Sequence, residues 1–173
     1  DKAIQTATDP LQDPLLIATF IRALDDLGKI DEAAKYFAQW PGEKSGYEYW
    51  RAKGLIDHKY HRNLSEAIEA YEKAKTIWPG PVDWRTWNLL SNCQRENGQA
   101  TEAAATAKRS NEIERLMRAY IQSTLRANLG NLDDPKGLED VIRFYEDLGM
   151  NREAKAWQSV VDSLNSKAPS KGS

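Results

Sequence analysis

Leu27-Gly28-Lys29-Ile30-Asp31-Glu32-Ala33-Ala34 decides the fold, because it returns as Asn97-Gly98-Gln99-Ala100-Thr101-Glu102-Ala103-Ala104 and as Leu148-Gly149-Met150-Asn151-Arg152-Glu153-Ala154-Lys155. In every copy Ala follows Gly by five residues. Glycine ends one helix in a tight turn, and the small alanine lets the next helix approach closely. Each copy therefore reads as the corner of a helical hairpin.

The sequence around these corners has a helical period. Leu16, Phe20, Leu24 and Leu27, and again Ile113, Leu116, Met117, Tyr120 and Ile121, recur at spacings of three and four, while strand signals are almost missing. The fold class is all-α. Helix starts are marked at Asp9-Pro10, Asp13-Pro14 and Asp134-Pro135, where the carboxylate caps free amides and proline takes the first helical position. Asn63 followed by Glu66 has the form of a capping box.

A fourth copy lacks the glycine but carries the second helix in full. Ala67, Tyr71, Ala74 and Pro79 match A-x3-F-x2-A-x4-P, and here the chain resembles the tetratricopeptide-repeat family. The preceding helix keeps Trp50 and Gly54, with Lys53 where Leu is usual. The next copy has Trp87-x2-Leu90, with Ser91 in place of Gly. Anchor alanines 33, 67, 103 and 154 are 34, 36 and 51 residues apart, the first two close to the family's period and the last long enough to hold an extra helix. The resemblance covers about residues 14–164, and the last copy departs from it with Gln158 and Val161, as a capping hairpin does.

The resemblance implies a right-handed α-solenoid of antiparallel helix pairs. Its hairpins fall at about 14–40, 47–79, 83–111 and 135–165, with an extra helical segment over 112–129, in one domain spanning 10–166. Residues 1–9 form an extension and 167–173 a disordered tail. From Ala100 to Leu129 there is neither Gly nor Pro, which leaves open one long helix or two divided near Asn111.

Composition removes several functional classes. With 40% hydrophobic and 29% charged residues the chain is a folding sequence, and 24 basic against 26 acidic residues leave a net charge of −2, without the basic excess of a nucleic-acid binder. No stretch approaches the ~20 apolar residues of a membrane span. A soluble segment is expected, cytoplasmic or extracytoplasmic. The initial Asp1 in place of Met suggests a mature or excised piece of a larger protein.

No residue pattern carries catalysis, a cofactor or a metal. His58 and His61, with Asp57 nearby, are too few ligands for a metal site. Cys93 has no neighbouring histidine to activate it, and the pairs Asp25-Asp26, Asp133-Asp134 and Glu139-Asp140 read as solvated charge. Asn63-Leu64-Ser65 has the form of a glycosylation triplet but equally that of a helix N-terminus. Trp50, Trp78, Trp84 and Trp87 stand at hairpin junctions, as packing groups or as a ligand-stacking platform.

The resemblance implies binding instead. In tetratricopeptide arrays the first helix of each pair lines a concave groove, which here places Arg51, Leu55 and His58 of the second copy and Arg85, Asn88, Asn92 and Arg95 of the third along it. Amides one turn apart grip a peptide backbone and guanidinium forks hold carboxylates, so the partner is a protein or peptide with acidic groups or a free C-terminus. The residue set of chaperone-binding members is not reproduced, since Ala52 replaces the matching Asn. The expected function is a protein-interaction scaffold or adaptor. Self-association and RNA binding by a helical repeat are the alternatives.

Overall fold

The computed structural model describes residues 12–167, and all regular structure among them is helical. In order these are α1 (Pro14–Asp26), α2 (Ile30–Ala38), α3 (Gly46–Lys59), α4 (Leu64–Thr76), a 3-10 turn (Gly80–Val82), α5 (Trp84–Glu96), α6 (Ala100–Leu116), α7 (Ala119–Leu129), α8 (Pro135–Asp147) and α9 (Asn151–Lys167). Asp9-Pro10, the 1–9 extension and the tail beyond Lys167 lie outside the described residues. No helix among those described is long and apolar enough to cross a membrane.

Helix starts follow local chemistry. Asp13 accepts the Leu15 amide at 2.9 Å and Asp134 accepts that of Lys136 at 3.1 Å, each just ahead of a proline. Asn63 caps α4 through the Glu66 amide at 3.3 Å, while the Glu66 carboxylate turns to Lys53, 3.5 Å away, rather than back to Asn63. The stops are as regular. Gly28, Gly98 and Gly149 sit at φ 71, 78 and 76°, where a side chain is strained. Around each, the glycine amide bonds back three residues and the next amide bonds back five, as in Gly28 to Asp25 and Lys29 to Leu24. This is the Schellman closure of a helix end.

Each such turn reverses the chain between the two helices it joins. Phe20 of α1 stacks on Tyr36 of α2 at 5.7 Å between ring centres. Ser91 late in α5 bonds to the Ala103 carbonyl early in α6, and Ser110 late in α6 bonds to that of Trp84 at the start of α5. In α3 and α4, Gly54 meets the Tyr71 ring so closely that an added Cβ would lie 2.7 Å from two of its carbons. That contact requires glycine.

The described chain divides into two compact units within α6, between Asn111 and Glu112. In the first, Ile17, Ile21, Ala33, Leu55 and Ile56 form one buried cluster, and Ala67, Tyr71, Leu90 and Cys93 another. In the second, Leu125, Leu138, Val141, Ala154 and Val161 pack together. Burying such side chains contributes on the order of 1.5–3 kcal/mol each for the larger ones. α6 runs through Asn111 to Leu116, and the break before α7 comes at Arg118, whose ψ of 147° is extended.

Candidate binding site

The first helices of the three pairs in the first unit, α1, α3 and α5, share a cleft of about 620 Å³. Its charged lining comes from α1 (Arg22, Asp25, Asp26), from α3 (Glu48, Arg51) and from the start of α5 (Asp83, Arg85). Most of these charges are already matched. Lys59 holds Asp25, and Arg22 Nη1 lies 3.8 Å from Glu48 Oε2.

A buried polar strap joins α3 to α5. The Asp83 side chain caps α5 by accepting the Arg85 amide at 3.1 Å, and its other oxygen accepts the Thr86 hydroxyl at 2.9 Å and the Tyr47 hydroxyl. Arg51 Nε donates to Thr86 Oγ1 at 3.1 Å and stands 3.5 Å from Asp83. Burial, reinforced by the Asp83 hydrogen bond, raises the Tyr47 phenol above its ordinary range. Tyr47 therefore stays a donor at all physiological pH. The network fixes the floor of the cleft, while Arg85, set against the Trp84 ring at 5.1 Å, makes no ion pair among the described residues.

The expected groove residues divide between helices. On α5, Arg85, Asn88 and Arg95 are exposed and Asn92 is half-buried, with Arg95 Nη1 3.4 Å from Asn92 Oδ1, so the four form one continuous stripe. On α3 the expectation needs correction. Leu55 is 1% exposed and belongs to the core; His58 is 4% exposed, its Nε2 3.1 Å from Glu96 Oε1; Arg51, 8% exposed, reaches the cleft only as part of the strap. The cause is crowding: α1, α2, α4 and α5 all pack on α3, so even its polar residues are enclosed.

Other candidates fall into place around this. His58 is buried and His61 exposed against Tyr60, so the two histidines face different surroundings. Burial pushes the Cys93 thiol up to about 11, and its sulfur lies 3.5 Å from the Leu64 carbonyl. Trp50 lies under Lys73 at 4.3 Å and Trp87 donates to the Gly80 carbonyl at 2.9 Å, both as packing groups.

Trp78 is different, with 65% of its surface exposed. It borders a second cleft of about 550 Å³ with Trp40, Pro41, Tyr47, Glu48 and Pro79. The triplet Trp-Pro-Gly occurs twice, at 40–42 and 78–80, after α2 and after α4, and both copies meet at this cleft. That repetition is the sequence signal that could have located it. Tyr47 and Asp83 carry no such signal beyond the position of Asp83 just ahead of a helix. Compared with models of known protein families and with curated proteins, the chain matches none.

Proposed function

We propose that this chain is a tetratricopeptide-like module whose helix pairs stack as a right-handed α-solenoid, and that it works by holding a peptide or protein segment along its first helices. The observation that carries this reading is the cleft of about 620 Å³ to which α1, α3 and α5 all contribute. A cleft spanning successive hairpins suits an extended ligand better than a compact substrate. Its floor is held rigid by the Tyr47, Arg51, Asp83 and Thr86 network, which lowers the ordering cost of binding.

The stripe Arg85, Asn88, Asn92 and Arg95 supplies recognition: two guanidinium forks for carboxylates, and amides for a backbone between them. Of the cleft charges, Asp26 and Arg85 make no ion pair among the described residues, and an acidic residue of the ligand placed near Arg85 would meet its guanidinium.

Peptides selected from a displayed library on the wild-type chain test the assignment. Changing Arg85, Asn88, Asn92 and Arg95 together to Ala should weaken them by at least about tenfold, roughly 1.4 kcal/mol, with the helical circular dichroism unchanged. Undiminished binding to that variant would remove the stripe from the site.

A further inference from the structure

We infer that the cleft between the two Trp-Pro-Gly corners is a cation site, which takes an arginine or lysine side chain presented by a partner segment. Three rings, Trp40, Tyr47 and Trp78, line it, and among the described residues the charged side chains in its lining are Glu43 and Glu48. Aromatic faces attract guanidinium and ammonium groups, tryptophan most of all, and two carboxylates beside them set the sign of the guest.

The unmet needs of the site agree. Among the described residues Glu48 Oε2 is buried without a hydrogen-bond donor, and its ion-pair partner, Arg22, stands off at 3.8 Å. A charged oxygen withdrawn from water is stabilised by a donor that carries positive charge. Glu43 is exposed and makes no ion pair with a described residue. Trp78 keeps a bulky apolar ring in solvent, where the methylene stem of a long basic side chain would cover it.

Other guests satisfy less. An anion would meet two like charges. A purely apolar residue would cover the rings and leave Glu43 without a counter-charge and Glu48 Oε2 without a hydrogen-bond donor. The aromatic cleft shares Tyr47, Glu48 and Pro79 with the larger cleft, so a segment lying in both would place its basic residue against Trp78 and an acidic one toward Arg85. The partner segment thus carries both signs. The source of the cation rests on the peptide-binding reading above, whereas the cation site itself does not.

The test uses the whole chain labelled with ¹⁵N-tryptophan, its indole resonances assigned by single Trp→Phe changes. N-acetyl-arginine amide and N-acetyl-lysine amide should move the Trp40 and Trp78 signals saturably, with Kd of about 1–10 mM, while N-acetyl-norleucine amide, of similar stem but no charge, should not. Glu43→Gln and Trp78→Leu should each weaken the cationic probes by about fivefold. Equal binding of the norleucine probe, no saturable shift with either cation, or unchanged affinity in both variants would each overturn the proposal. Because this binding is read at Trp40 and Trp78 and the library selection is tested by changes on α5, failure here is distinct from failure of that selection.

Discussion

The pairs α1–α2, α5–α6 and α8–α9 turn on a glycine at φ 71–78°, each with the same two backward hydrogen bonds, whereas α3–α4 turns through Arg62 at φ 58°. In the latter the bonds run differently, with Tyr60 and His61 both donating to the Ile56 carbonyl and Asn63 to that of Asp57. A left-handed arginine costs roughly 1–2 kcal/mol that glycine avoids. The α3–α4 pair has a compensation: Gly54 lets the fully buried Tyr71 ring lie against the α3 backbone, and Trp50 lies under Lys73. One design spends its glycine in the turn, the other in the interface. What a hairpin of this kind needs is a left-handed residue and a close approach, and different residues can supply them.

The sharpest way to break this comparison is to fill the interface. Gly54→Ala would place a methyl 2.7 Å from the Tyr71 ring, on a helix enclosed by its neighbours, and should destabilise the first unit by about 2–3 kcal/mol. Adding Tyr71→Leu should recover part of the Gly54→Ala loss, as a coupling between the two sites in a double-mutant cycle. Urea unfolding followed by tryptophan fluorescence measures this, since five of the six tryptophans lie before Asn111. Strict additivity of the two changes would show that the contact is not what holds α4 to α3.

The glycine turns should be less sensitive. Around Gly28 and Gly98 an added Cβ meets nothing within 4 Å, so the cost of Ala there is conformational alone, about 1–2 kcal/mol. The same fluorescence titration of Gly28→Ala and Gly98→Ala checks it. A loss equal to that of Gly54→Ala would erase the distinction between turn and interface.

The same contrast explains what the sequence made legible. Gly28, Gly98 and Gly149 are read easily because a helix end is a local event, and the amphipathic spacing beside them marks helices without reference to the rest of the chain. Arg62 leaves no such mark, since nothing in an arginine announces φ 58°. Position on a first helix points Leu55 and His58 to a groove, but exposure is decided by the helices that cover them, and both are buried. On α5, by contrast, Arg85, Asn88 and Arg95 are exposed and Asn92 is half-buried. The aromatic cleft needed two distant Trp-Pro-Gly triplets to meet, which spacing shows only as a repetition.

Cys93 gives a third probe, because its thiol packs at the start of α4, just beyond the Arg62 turn. Burial raises the folded thiol from its ordinary range to about 11, so the folded state keeps its proton longer than the unfolded chain. That contribution is complete below about pH 9 and is lost as pH rises toward 11. Between pH 8 and 10.5 the urea midpoint should therefore fall further for the wild type than for Cys93→Ala, while the buried Tyr47 and Tyr71, also raised, affect both alike. Thiol labelling in native buffer should be slow, faster in Gly54→Ala and unchanged in Gly28→Ala. Equal acceleration in both variants would mean that the pairs open together rather than at their own weak points.

The smallest effect is the most direct test of the comparison. Arg62 is exposed, so replacing it by Gly removes left-handed strain at the expense of greater freedom in the unfolded chain, about 0.5–1 kcal/mol. The difference leaves Arg62→Gly more stable than wild type by a few tenths to about 1 kcal/mol, with Arg62→Asn between them, as a residue that tolerates the left-handed region. A rise of a few degrees in Tm would express it. If Arg62→Gly instead lowered stability, the arginine would be holding the turn by something other than its backbone conformation, and the α3–α4 pair would not be a strained version of its glycine-closed neighbours.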